Sequence, residues 1–201
     1  MSVPITAELV KKLRDQTGAG MMECKAALIE AGGDIEAATT VLRKRGLAQA
    51  AKKSGRAANE GQIFAYIHQG GKIGVLLEVN CESDFVARTD DFQALMKELA
   101  LQVAAASPQY ARRSDVPPEI LERERGIYRA QMEASGKPPA VIEKIIEGKL
   151  GSFYEQTVLL DQPSIRDPKT TVEQNIKAVI AKLGENIAVP RFVQYKVGEG
   201  S

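Results

Sequence analysis

The chain has 201 residues, of which 44% are hydrophobic, and its 27 Lys and Arg nearly balance its 26 Asp and Glu. This length fits one domain, or one domain with a small module, and the apolar content is enough to bury a core. The balanced charge gives no general indication of nucleic acid or membrane binding, and no apolar stretch reaches the length of a membrane span. Two distant cysteines and the lack of a signal-peptide apolar core predict a cytoplasmic protein without a disulfide framework.

Residues 5–50 carry three short stretches with the apolar spacing of helices. Thr6 is the predicted N-cap of the first helix and Asp34 that of the third, which ends near Gly46. The residues expected to face inward are Ile5, Leu9, Val10, Leu13, Met22, Ala26, Ile29, Ile35, Ala38, Val41 and Leu42. Because about forty residues bury only a marginal core, we interpret 1–46 as a small three-helix module that docks on a partner.

Residues 47–60 are rich in alanine and lysine without an apolar face, and we interpret them as a partly helical linker. Basic residues concentrate within the 14 positions 43–56, at the end of the third helix and in this linker: Arg43, Lys44, Arg45, Lys52, Lys53 and Arg56. Such a cluster is typical of a solvated helix end. The alternative is contact with RNA phosphates, but no aromatic residues are interleaved for base stacking. We therefore favour the solvated helix end and regard nucleic acid binding as the weaker alternative.

The remaining residues, 61–201, mix strand and helix patterns. Alternating apolar residues on both sides of Gly70 and Gly71 predict an antiparallel hairpin. Helical spacing predicts helices over about 90–106, 118–134, 141–154 and 172–183, and a last strand-like stretch contains Pro190, which places it at an edge or bend. This order of elements predicts an α+β fold, in which a small antiparallel sheet packs with helices beside the three-helix module.

The sequence gives little indication of an enzyme. The single histidine, His68, lies in a strand pattern and is interpreted as a surface or packing residue. Cys24 and Cys81 have apolar neighbours and are interpreted as core thiols. No nucleophile elbow, phosphate-binding loop, zinc-protease motif or calcium loop is present. We predict no catalytic residue, no cofactor and no metal ligand.

The segment SDFVARTDDF, which begins at Ser83, has two interpretations. In the first, Ser83 or Asp84 caps a helix and Phe85 lies in the core. In the second, Phe85 is exposed at a loop tip and anchors in a partner's pocket, beside a carboxylate that disturbs a cation site of that partner. The residue types alone leave both interpretations open.

Two stretches resemble the elongation factor Ts family closely: ITAELVKKLRDQTGAGMMECK at 5–25 and CESDFVAR at 81–88. The resemblance extends over nearly the whole chain, is weakest at 107–136, and places Ser83 where the family has threonine. It implies a guanine nucleotide exchange factor for elongation factor Tu in translation elongation. It also implies an N-terminal module similar to ubiquitin-associated domains, and no nucleotide site on this chain.

The resemblance implies site residues as well. Ser83, Asp84, Phe85 and Val86 would be inserted against the GTPase domain of elongation factor Tu. Phe85 would wedge between helices of that domain, and Asp84 would help to disorganise its magnesium coordination. The residues of the N-terminal module that would dock on a GTPase helix are Leu13, Thr17, Gly18, Met21 and Met22.

Longer members of this family have two core subdomains and a coiled-coil insertion, whereas this chain has room for one sheet subdomain in 61–201. Its length therefore predicts a noncovalent homodimer that rebuilds the missing half. Two other functions stay open at this point. One is an adaptor whose three-helix unit binds ubiquitin-like or helical partners, and the other is an RNA-associated translation protein that uses the basic segment.

Overall fold

The computed structural model describes residues 4–133 and 135–199, and the side chain of Glu133 is not among them. This described part contains eight α-helices and one three-stranded antiparallel sheet in the order β1-β2-β3. The helices are α1 (Ala7–Thr17), α2 (Met21–Glu30), α3 (Ile35–Lys53), α4 (Asp84–Ala87), α5 (Asp90–Ala106), α6 (Pro118–Glu133), α7 (Pro139–Thr157) and α8 (Val172–Leu183). The strands are β1 (Glu60–Ile67), β2 (Ile73–Cys81) and β3 (Ile187–Lys196). The predicted α+β class is confirmed.

The chain forms two compact units, which are described separately. The first unit consists of the described residues up to Gly61, together with Asn80–Leu95 and Gln174–Ala188. The second consists of Gln62–Val79, Met96–Glu173 and the described residues from Val189 onward. The sequence-based division into 1–46, 47–60 and 61–201 stays a prediction.

In the first unit, α1, α2 and α3 pack around a small core. The predicted caps are confirmed, because Thr6 Oγ1 accepts the Leu9 N–H at 3.2 Å and Asp34 Oδ1 accepts the Ala37 N–H at 2.8 Å. The buried residues of this core are Val10, Leu13, Cys24, Ala27, Leu28 and Ala38. Burial of each larger side chain contributes about 1.5–3 kcal/mol, and because the core contains few such side chains, it stabilises the three helices only weakly. Contacts of α3 with the rest of the first unit add to this stability.

Helix α2 turns a different face inward from the one predicted. Met22, Ala26 and Ile29 were expected in the core, but all three are exposed, and Cys24, Ala27 and Leu28 are buried instead. The sequence MMECKAALIE is apolar on most of its circumference, so its spacing fits two different buried faces. The packing of α1 and α3 on α2 selects between these faces, and spacing along α2 carries no information about it.

Helix α3 also differs, because it continues through Gly46 and ends at Lys53. A Cβ atom at Gly46 would lie 3.0 Å from the Ala181 Cβ atom of α8. The glycine therefore allows two helices to approach closely, and it does not end α3. Farther along, the Lys53 ammonium donates to the Gly184 carbonyl at 2.8 Å, so α3 runs beside α8 to its C-terminal turn.

In the second unit, the hairpin of β1 and β2 is confirmed, with positive φ angles of 87° at Gly70 and 68° at Gly71 in its turn. One face of the sheet packs inward through Val75, Leu77 and Val79. The opposite face exposes apolar side chains. We call this the sheet surface, and it consists of Ile63, Ile67, Leu76, Val193 and Tyr195. β3 lies at an edge of the sheet, which suits Pro190.

Helices α6 and α7 form an antiparallel pair, which two ion pairs join across the hairpin. Arg125 contacts Glu147 at 3.1 Å, and Arg129 contacts Glu143 at 2.8 Å. The sequence-predicted helices over this region, and α5 and α8, are confirmed within the residues described. None of the helices in the described ranges is both long enough and apolar enough to cross a bilayer.

Candidate partner-binding site

The segment 83–87 forms a one-turn helix whose sides have opposite environments. Ser83 is its N-cap, with Oγ 3.5 Å from the Val86 amide nitrogen. Val86 and Ala87 are buried, whereas the Phe85 side chain is 79% exposed. Each interpretation of this segment was therefore half right: Ser83 does cap a helix, but Phe85 lies outside the core.

A second phenylalanine of this segment, Phe92, has the opposite environment. Phe92 in α5 is fully buried and supplies the aromatic core residue of this segment. Because the Phe85 ring is exposed, it contributes little to the free energy of folding. Its burial against another protein surface would contribute about 1.5–3 kcal/mol to binding. The arrangement has the character of a binding anchor.

The neighbouring carboxylate, Asp84, is half exposed and forms an ion pair with Arg88 at 2.7 Å one turn later. An exposed pair of this kind contributes less than about 1 kcal/mol, so Asp84 is held in place only lightly. A positive group brought by a partner can therefore replace Arg88 at little cost. Ring and carboxylate project from adjacent positions of the same short helix.

The short helix is anchored by a turn that is distant in sequence. The Glu185 carboxylate accepts two hydrogen bonds from Ser83, one from the backbone N–H at 2.9 Å and one from the hydroxyl at 2.7 Å. In return, the Glu82 carboxylate accepts the Asn186 N–H at 2.7 Å. The Asn186 side chain is buried and donates to the Arg56 carbonyl at 2.8 Å.

Sequence reasoning missed Glu185 and Asn186. The local signal at these positions is only a helix that ends at Gly184 before a strand. The residues that they contact, Glu82 and Ser83, are about a hundred positions away, as the separations of 104 and 102 show. No pattern of spacing can indicate such a pair, because hydrophobic periodicity reports only on neighbours in the same element.

Cys81 supports the same segment from below. It is buried, and its thiol donates to the Ser83 carbonyl at 3.1 Å. Burial, with a smaller contribution from the Glu185 charge, raises the pKa of the Cys81 thiol. The prediction that Cys24 and Cys81 are core thiols is confirmed, since both are free and buried.

The residues predicted to dock from the N-terminal module do not share one environment. Met21 and Met22 are 45% and 76% exposed, Gly18 is exposed, and Thr17 is half-buried, with its hydroxyl donating to the Leu13 carbonyl at 2.7 Å. Leu13 itself is fully buried in the core of the module. Leu13 therefore packs beneath the surface of the module, and docking through these five residues stays a prediction.

Ile29 was expected in the core and instead extends the exposed apolar surface of α2. It is 61% exposed and lies seven positions after Met22, that is, on the same side of the helix after two turns. Ala26 lies between them and is exposed as well. We call Met22, Ala26 and Ile29 the α2 stripe. An apolar row of this kind on a small module is typical of a surface that packs against a partner.

The α2 stripe and Phe85 belong to the same compact unit, and α8 connects the segments that carry them. The Lys182 side chain approaches Gly18 so closely that a Cβ atom there would lie 2.9 Å from its Cε. The Lys182 ammonium also contacts Asp91, at the start of α5, at 2.6 Å. Helix α8 thus contacts both Gly18, in the turn before α2, and the start of α5, which follows α4.

The basic cluster at the end of α3 is largely engaged in contacts within the first unit. Four of its members bond to neighbours: Arg43 to Gln174, Arg45 to Glu30, Lys53 to Gly184 and Arg56 to Glu82. A cluster that grips nucleic acid presents its charges together toward phosphates. The contacts observed here favour the structural interpretation of these residues.

Other chemistry is sparse in the part of the chain that the structure describes. His68 is exposed, and its Nδ1 lies 2.9 Å from the Tyr66 hydroxyl, as suits a surface residue. Among the described residues, no group of three or more His, Cys, Asp or Glu is placed to hold a metal ion.

Comparison with known proteins gives a consistent result. The family model described as elongation factor TS matches residues 6–199. Elongation factor Ts of Anaeromyxobacter sp. (strain Fw109-5) is 58% identical over 98% of this chain and 90% of its own length. The protein of the same name from Coprothermobacter proteolyticus is 59% identical over 97% and 99% of the two chains, and that from Caldanaerobacter subterraneus subsp. tengcongensis is 57% identical over 98% of each. The chain belongs to the elongation factor Ts family.

Proposed function

We propose that this chain releases GDP from elongation factor Tu by inserting the α4 pair, Asp84 and Phe85, into the GTPase domain. Elongation factor Ts proteins are nucleotide exchange factors for elongation factor Tu in translation elongation, which takes place in the cytoplasm. The observation that carries the proposed mechanism is a phenylalanine that is 79% exposed on a helix anchored from below.

The physical basis of the exchange is that GDP and the factor favour different conformations of the nucleotide site of the GTPase. Magnesium holds GDP by bridging phosphate oxygens and protein ligands. A ring and a carboxylate that fit only a distorted site bind the nucleotide-free GTPase more tightly. By reciprocity, a factor that weakens GDP binding a hundredfold is itself weakened a hundredfold by GDP, a coupling of about 2.7 kcal/mol. One buried aromatic anchor supplies free energy of that size.

The N-terminal module serves in this proposal as the docking part, through the α2 stripe, Met21 and the Thr17–Gly18 corner. Its apolar surface is exposed and lies in the same unit as Phe85. Docking of the stripe would keep the factor bound while α4 enters the nucleotide site. The exchange makes and breaks no covalent bond, so the chain acts as an exchange factor and not as an enzyme with a catalytic residue.

We also propose a noncovalent homodimer in which two sheet surfaces pack together. The support is an exposed apolar face on the three-stranded sheet, which is the one sheet formed by the described residues. The Coprothermobacter relative aligns over 99% of its own length and 97% of this chain, so the two chains have a similar size. Two free but buried cysteines leave association of the sheets without a disulfide.

The test is the release of fluorescent GDP from elongation factor Tu. We expect Phe85→Ala to slow release by about tenfold to a hundredfold at equal factor concentration, because an anchor residue is lost. Asp84→Ala with Phe85→Ala should abolish most of the remaining acceleration. The matched control is Ile165→Ala, which shortens an exposed apolar residue outside α2 and α4. With this variant, elongation factor Tu should release GDP at the rate seen with the wild-type factor. Wild-type rates for the double variant would refute the proposed mechanism.

A further inference from the structure

The exposed pair in α4 stands on a helix that is too short to hold its own shape. α4 has four residues, and isolated helices are marginal in water even at about 12–15 residues. Its internal backbone bonds are long, with 3.4 Å from Ala87 N to the Ser83 oxygen and 3.3 Å from Arg88 N to the Phe85 oxygen. The direction of Phe85 therefore depends on contacts from outside the helix.

The strongest of those contacts come from Glu185. Both of its carboxylate oxygens are used, and both bonds go to Ser83, the N-cap that precedes Asp84 and Phe85. Charge-assisted bonds of this length are about twice as strong as neutral ones. The Glu82–Asn186 bond beside them runs in the opposite direction, so the two segments cannot slide past each other without breaking both.

We infer that Glu185 is a positioning residue for nucleotide exchange, which holds Phe85 and Asp84 in the orientation that enters the partner. The inference rests on the proposed function of the α4 pair. Without Glu185, α4 would sample several orientations, and only a fraction would be competent for insertion. An activity that depends on one orientation falls in proportion to that fraction.

This role differs from general structural support in two measurable ways. Loss of orientation lowers the maximal rate of GDP release at saturating factor, because the docked complex then waits for α4 to be placed. The concentration of factor that gives half the maximal rate changes little, since docking through the α2 stripe is intact. Loss of the folded module would instead raise that concentration and lower the melting temperature.

The free protein offers a direct readout of orientation. The chain contains five tyrosines but no tryptophan, so Phe85→Trp introduces a single indole, which can be excited selectively, at the exposed position. We expect Glu185→Ala in this background to lower the fluorescence anisotropy of the indole. Glu143→Ala, which removes an exposed carboxylate paired with Arg129 in the second unit, is the matched control and should leave the anisotropy unchanged.

In the exchange assay, on the chain with Phe85 retained, we expect Glu185→Ala to lower the maximal rate about tenfold and to shift the half-saturating concentration by less than about threefold. Glu185→Gln keeps the size of the side chain and one carbonyl acceptor, and should have an intermediate effect on both readouts. Ser83→Thr keeps the hydroxyl and should preserve the rate. In a Ser83→Ala background, Glu185→Ala should have a smaller effect than alone, because the two residues act through one contact.

The outcomes separate the inference from the proposal beneath it. If Phe85→Ala slows exchange while Glu185→Ala and Glu185→Gln leave both the indole anisotropy and the maximal rate unchanged, the positioning role is overturned and the proposed function stands. A raised half-saturating concentration with an unchanged maximal rate also overturns it. If Phe85→Ala has no effect on exchange, the proposed function fails, and a positioning role in exchange fails with it, whatever the anisotropy of the free protein shows.

Discussion

Phe85 and Phe92 show how two identical residues in one segment take opposite roles. Phe92 is fully buried in α5, and Phe85 is 79% exposed in α4. The two rings stand in adjoining helices of one segment, and only that of Phe92 lies in the core. The buried ring stabilises this chain, whereas the exposed ring is available to another protein.

Substitutions of these two phenylalanines should separate the effect on protein stability from the effect on nucleotide exchange. Phe92→Ala should lower the free energy of unfolding by about 3–5 kcal/mol, because it leaves a cavity in the core. Phe85→Ala should change it by less than about 0.5 kcal/mol, as is usual for surface substitutions. Urea unfolding followed by circular dichroism measures both values. A Phe85→Ala protein as unstable as Phe92→Ala would mean that the ring packs on its own chain.

The helices and strands show which features were readable in the sequence. The caps Thr6 and Asp34 and the span of α5 depend on neighbouring residues, so local patterns predicted them. The buried face of α2 was wrong because its apolar residues surround the helix, and the end of α3 was wrong because Gly46 serves packing against Ala181. The Glu185–Ser83 contact joins residues 102 positions apart, and only the folded chain brings them together.

The α2 stripe gives the prediction at the scale of one element. Met22→Ser with Ile29→Ser should raise the half-saturating concentration of factor in GDP release by about tenfold, because two apolar contacts with the partner are lost. The maximal rate should change little, and the free energy of unfolding should stay within about 0.5 kcal/mol of the wild-type value. The buried neighbour provides the contrast, since Leu28→Ala should destabilise the module by about 2–5 kcal/mol.

An unchanged half-saturating concentration for the Met22→Ser and Ile29→Ser protein would remove the stripe from the docking surface. The same exchange titration that measures Glu185→Ala decides this point. The α2 stripe is expected to set the concentration dependence, and the α4 pair the maximal rate.

For the whole molecule, the proposed association through the sheet surface predicts a symmetric dimer, the commonest form of homo-oligomer. Its solution mass at micromolar concentration should be about twice the 21.8 kDa of one chain. Ile63→Asp with Tyr195→Asp should give the monomer mass, because charges on an apolar interface are costly to bury. Ile127→Asp, an exposed apolar position on α6, is the control and should leave the mass unchanged. Light scattering at several concentrations is the measurement, and a wild-type monomer mass would refute the dimer.

In the proposed mechanism, Phe85 binds the GTPase better when GDP is absent than when it is present. Calorimetric titration of elongation factor Tu with this protein, with and without saturating GDP, measures that coupling directly. We expect Phe85→Ala to weaken binding mainly to the nucleotide-free partner, so that the ratio of the two affinities falls by about tenfold or more. Equal weakening in both states, with the ratio preserved, would show that Phe85 is only a docking contact, and the proposed exchange mechanism would be wrong.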